Sequence, residues 1–111
     1  METTIFEKAT ILDLSTLVEY SANGIVSKRV LEKKTGNITL FAFDKDQKLS
    51  EHTAPYDAMV QVIEGEGEIA INGKPFLLKN GKSIIMPANI PHAVNAVSKF
   101  KMLLTMIKEP S

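Results

Sequence analysis

The chain has 111 residues, 44% of them hydrophobic, and carries thirteen basic against thirteen acidic side chains for a formal net charge of zero. That length supports one domain spanning 1–111 with a single core, and the charge balance gives no footprint for nucleic acid or an anionic membrane. Cysteine is absent, which excludes disulfides, thiolate metal sites and thiol nucleophiles together.

The first fifteen residues include Glu2, Glu7 and Asp13, lack an apolar run of signal-peptide length, and no later run reaches the ~20 residues of a membrane span. A soluble, cytoplasmic protein is the expectation. Thr3–Glu7 is ambiguous between an edge strand and irregular chain, and Asp13-Leu14-Ser15 offers about one turn of helix. From Leu17 the pattern is a series of short strands: Leu17–Tyr20, Ile25–Glu32 and Ile38–Phe43, separated by Asn23-Gly24 and by Lys34-Thr35-Gly36-Asn37. In the third of these Thr39, Phe41 and Phe43 share one face and Leu40 and Ala42 the other, so both faces are expected to be covered.

A polar loop, Asp44–Ser50, leads to His52 and then to Ala58–Glu64, again apolar on both faces. Glu64-Gly65-Glu66-Gly67 is expected to turn into Glu68–Ile71, and Asn72-Gly73 is a two-residue hairpin signal before Lys74–Leu78. Ser83–Met86, a proline-bounded loop, Pro91–Val97 and Phe100–Ile107 complete the chain. About ten short strands with turn signals every eight to twelve residues and little helix predict an all-β, antiparallel sandwich or barrel. Gly65-Glu66-Gly67-Glu68-Ile69-Ala70 fits the dinucleotide pattern G-x-G-x-x-A, but the strand and hairpin that follow supply no helix N-terminus for a pyrophosphate.

The spacing of His52, Gly65, Gly81, Pro87 and His92 resembles the two motifs of the cupin superfamily, small jelly-roll β-barrels. These motifs read G-x5-H-x-H-x3/4-E-x6-G and G-x5-P-x-G-x2-H-x3-N, and they fall on residues 46–65 and 81–96. Asp46 replaces the opening glycine, Ala54 the second histidine, Ala58 the glutamate, Asn89 the second motif's glycine and Ala96 its asparagine. The family's three-histidine, one-glutamate metal site is therefore reduced to His52 and His92.

Two neutral imidazoles make a weak cage, since catalytic zinc and octahedral iron, manganese or nickel ordinarily take three or more protein ligands. Asp57 and Glu51 adjoin site positions but point to the opposite strand face. Any metal would be a weakly held divalent transition ion on His52 and His92; without one, the two rings act on a ligand directly as hydrogen-bond partners or as an acid–base pair. By strand alternation His52, His92, Ala54, Ala58, Phe41, Val60, Met86, Val94, Met102 and Leu104 line a small, largely apolar ligand pocket, with Tyr56 and Asp57 at its rim.

The expectation is thus a stand-alone cupin-like barrel that binds a small molecule at a metal-poor two-histidine site and forms a homodimer through apolar outer strands. A metal-dependent enzyme such as a dioxygenase, isomerase or lyase is the alternative, and a structural or regulatory partner-binding barrel the third reading.

Overall fold

The computed structural model describes residues 6–109. Eight antiparallel strands follow a 3-10 turn at Leu14–Thr16: β1 (Ile25–Lys33), β2 (Gly36–Phe43), β3 (Lys48–His52), β4 (Asp57–Ile71), β5 (Lys74–Lys79), β6 (Ser83–Met86), β7 (His92–Asn95) and β8 (Phe100–Ile107). They are joined in the order β1-β2-β8-β4-β7-β3, with β5 and β6 also paired to β4. The fold is all-β, a curled antiparallel sheet with almost no helix.

β4 organises it. The sequence suggests a turn at Glu64–Gly67, but the structure runs one fifteen-residue strand through these residues. Its first part pairs with β8 and β6, and its second part, from Glu66, with β5 and β7. Two glycines permit the bend between these two leaves. Gly65 has φ 76°, and a Cβ there would collide with the Lys99 carbonyl. A Cβ on Gly67 would lie 2.5 Å from the Phe100 ring, which stacks on Phe43 at 4.7 Å between centroids. The bend thus needs residues without side chains where the two leaves close on Phe100.

Between the leaves lies the main core. Phe43, Ala58, Val60, Val62, Ile69, Leu78, Met86, Val94, Ala96, Phe100 and Met102 are buried in one cluster, with Phe41 and Leu104 packed against it. The expected alternation holds for Ala58, Val60, Met86, Val94, Met102, Phe41 and Leu104, which all face this interior. Asn72 and Gly73 both adopt positive φ in the β4–β5 hairpin, as a two-residue type I′ turn requires.

The opposite face of the first leaf carries a second cluster. Val18, Leu40 and Ala42 are buried there, joined by Leu14, Leu17, Tyr20, Val26, Val30, Ile63 and Leu103. Leu17–Tyr20, expected as a strand, is therefore not one. Its apolar side chains cover the sheet as an added layer instead of extending it.

A polar clamp fixes that layer. The buried Lys101 ammonium donates to the Ser15 carbonyl at 2.6 Å and lies 3.7 Å from Glu64, while the Tyr20 hydroxyl donates to Glu64 Oε2 at 2.6 Å. Burial, then the neighbouring Glu64, push the Tyr20 phenol pKa upward, so it stays a donor. The expected loop Asp44–Ser50 is shorter than its polar composition suggests, because β3 begins at Lys48. Phe6 and Glu7 are not in a strand, and the rest of the ambiguous Thr3–Glu7 segment lies outside the described residues.

Candidate functional site

Two short connections bring the histidines to one end of the barrel. Residues 53–56 link β3 to the start of β4, and residues 87–91 link β6 to β7. The Asn89 amide donates to the Ala54 carbonyl at 2.8 Å, and Asp57 Oδ1 accepts the Ala88 amide at 2.8 Å, tying the connections together. Asn89 takes φ 63°, the left-handed conformation that asparagine tolerates where the family motif has glycine.

Register supplies the rest. β3 pairs with β7 through Leu49 opposite Val94, and regular alternation would then place Glu51 opposite His92. An irregularity between Leu49 and His52 advances the strand by one residue and puts His52 opposite His92 instead. The β3 bulge therefore creates the pair.

The two rings meet edge to face, with centroids 4.3 Å apart and planes at 66°. Nε2 of His52 lies 3.1 Å from Nε2 of His92. Nδ1 of His52 lies 2.7 Å from the Ser50 carbonyl, and Nδ1 of His92 lies 3.3 Å from the Ile90 carbonyl. A carbonyl only accepts, so these contacts favour the tautomer with Nδ1 protonated on each ring. In the neutral rings, both Nε2 atoms then carry lone pairs directed toward one another. Two acceptors in hydrogen-bond contact call for one proton between them or for a donor brought by a ligand.

Solvent access differs between the two. His92 is buried and His52 exposed. Burial holds the His92 pKa below the ordinary imidazole range; its hydrogen bond to Ile90 opposes that shift, and a charge on His52 deepens it. The charged form of His92 is thus disfavoured.

Ala58 stands one residue along from Asp57 with its methyl in the main core, opposite Met86 and Met106. Asp57 points the other way, as alternation predicts, and its carboxylate is held by the Ala88 amide. Ala54 is half-buried in the connecting loop, outside the main core cluster. Tyr56 and Asp57 line a cleft together with Pro55, Ala88, Asn89 and Ile107.

A metal would find two nitrogens at a spacing suited to neighbouring positions on one ion, given metal–nitrogen bonds of about 2.0–2.1 Å. The number of donors is the obstacle. Among the described residues no group of three His, Cys, Asp or Glu side chains could hold an ion. The donor set does not fit the three-ligand site of a protein-held catalytic metal.

One set of inward-facing residues escapes the sequence reading. Arg29 pairs with Thr39, Thr39 with Leu104, and Leu104 with Val60, a row across the inner face of the first leaf. Next to it Glu32 pairs with Asn37, and Asn37 with Met106. Arg29 Nη1 meets Glu32 at 3.1 Å, and Thr39 Oγ1 donates to Asn37 Oδ1 at 3.3 Å. Alternation from Ile25 through Ser27 to Arg29 was the available signal. It was masked by Val30 and Leu31, which both face outward at the bulge between Arg29 and Leu31.

An antiparallel barrel folded on a bent central strand, with a histidine pair at one open end, defines a jelly-roll barrel of cupin type. The Cupin domain family model matches residues 39–108, and the chain belongs to that family. It is 37% identical to a conserved protein of unknown function from Streptococcus pyogenes, whose crystal structure superposes with a TM-score of 0.90 over 96% of this chain and 93% of that one. A cupin 2 conserved barrel domain protein from Leptotrichia buccalis is 45% identical, with a TM-score of 0.85 over 87% of this chain but 47% of its own. An uncharacterized protein of Aquifex aeolicus is 26% identical over 104 residues, 92% of this chain and 86% of that protein. Among the described residues, no helix is long and apolar enough to cross a membrane.

Proposed function

We propose that this cupin barrel binds a small molecule at the end carrying His52 and His92, with the imidazoles engaging the ligand directly in place of a metal. The observation that carries this reading is the 3.1 Å Nε2–Nε2 contact between rings whose Nδ1 atoms both face carbonyls. Converging lone pairs accept a ligand hydroxyl, amide or acid proton, and a proton already held between the rings can be donated to a ligand acceptor. Phe41 and Leu104, half-buried beside the core, offer apolar wall for the body of such a ligand. A metal-dependent reaction is the less favoured reading because only two donors converge.

The test is a thermal-shift and calorimetric screen of small alcohols, amides and organic acids against the protein and its His52→Ala and His92→Ala variants. Ligands that bind the parent protein and lose affinity in both folded variants support the reading. Ligands bound equally well by the parent and by both variants overturn it.

For the outer sheet face we propose a second copy of the chain as the partner. Ile85 and Ile107 are 62% and 66% exposed, and they border a shallow apolar depression with Met59 and Thr105. The zero net charge offers no preference for a strongly charged partner.

A further inference from the structure

We infer that the ligand of this barrel is a small organic carboxylate, held by Arg29 from the leaf facing the histidines. This names the ligand class for the binding reading above and rests on it. Arg29 stands on the inner side of the barrel wall with 27% of its side chain exposed, and such a partly buried guanidinium is costly unless its donors are matched. Arg29 is matched only in part. Its Nη1 pairs with Glu32, whereas Nε is buried with no hydrogen-bond partner among the described residues. An N–H without a partner is a donor that a carboxylate oxygen would satisfy once the side chain turns toward it.

Topology puts Arg29 at the correct end. Ala58 and Met86 form the row at which the connections to His52 and His92 leave the first leaf. The next row inward is Val60, Leu104, Thr39 and Arg29. Arg29 therefore stands one row inside the histidine end, in register with Thr39 and Leu104, and its guanidinium reaches Glu32 in the outermost row. One guanidinium already paired to Glu32 carries too little uncompensated charge for a phosphate dianion. A monocarboxylate with an apolar body brings less negative charge beside Glu32 than phosphate does and suits the fork of donors and the wall. A hydroxyl or protonated group elsewhere on the acid would reach the Nε2 atoms of the histidines.

The experiment is an NMR titration of the full chain that follows the Arg29 Nε–H signal and the two imidazole rings. The probes are acetate, benzoate, lactate and pyruvate, each compared with its neutral amide, and inorganic phosphate. At least one acid should shift the Arg29 signal and bind about tenfold or more tightly than its amide, as a charged hydrogen bond predicts. Arg29→Gln should remove that preference, lowering acid affinity toward that of the amide. Glu32→Gln, which frees Nη1, should strengthen acid binding severalfold, so the proposal does not depend on Arg29→Gln being well folded. Amides binding as well as acids, phosphate binding more tightly than every acid, or an Arg29 signal unmoved by all four acids overturns the carboxylate assignment. Amides that shift the imidazole signals while Arg29 stays silent overturn it and leave the histidine reading standing. Acids that shift Arg29 but neither imidazole support the anchor and overturn the histidine reading.

Discussion

Nε2 of His52 and Nε2 of His92 are separated by 3.1 Å although they come from strands 40 residues apart in sequence. The contact exists because β3 carries one extra residue between Leu49 and His52. Without that irregularity, regular pairing of the same sequence would place Glu51 opposite His92 and dissolve the pair.

Acid should destabilise the fold through His92. Its folded pKa is depressed, chiefly by burial, below the 6.5 of a free imidazole. The unfolded chain therefore binds more protons in the window between the depressed value and 6.5, and stability rises with pH through that window. The contribution is complete above about pH 7 and is lost as pH falls through about 6.5 toward the folded value. A melting temperature that falls between about pH 7.5 and pH 5.5, with a smaller fall in His92→Gln, is the expected result. An identical pH profile in the variant would contradict it.

Tyr20→Phe should cost about 1 kcal/mol, the net value of a typical hydrogen bond, because Glu64 is partly exposed and water can replace the phenol. The ring would still cover the sheet. Urea denaturation should show a lower midpoint with an unchanged slope, and an unchanged midpoint would remove the clamp from the account.

Gly65→Ala and Gly73→Ala separate conformation from crowding. Both glycines have positive φ, but a Cβ at Gly73 meets nothing within 4 Å, whereas one at Gly65 runs into the Lys99 carbonyl and Phe100. The hairpin substitution should cost about 1–2 kcal/mol. The bend substitution should cost clearly more, and equal losses would show that β4 can bend without its glycine.

Ile85→Asp should convert a dimer to a monomer in sedimentation at micromolar concentration without lowering the monomer's intrinsic stability, since Ile85 is largely exposed in the single chain. A parent protein that sediments as a monomer under these conditions rules out the second-copy partner.

Local pattern specified the regular strands well. Ser83–Met86 and Phe100–Ile107 have the boundaries that alternation predicts, and the Asn72-Gly73 hairpin lies where turn chemistry puts it. Pattern failed where long-range packing decided the outcome. Glycines that signal a turn instead let β4 pass from one leaf to the other beneath Phe100, and the apolar Leu17–Tyr20 lies on Leu40 and Ala42 instead of pairing. At the candidate site, His52 and His92 were legible because motif spacing marks them. Arg29 was not, because Val30 and Leu31, turned outward at the bulge that follows it, obscure the alternation running from Ile25 through Ser27 to Arg29.

The most direct test of the histidine pair is a long-range proton–nitrogen correlation spectrum of the imidazoles at about pH 7.5. The account predicts protonated Nδ1 on both rings, with both Nε2 signals changing together when a bound ligand donates to them. A protonated Nε2 with a bare Nδ1 on either neutral ring, or two rings that respond independently to ligand, would contradict it.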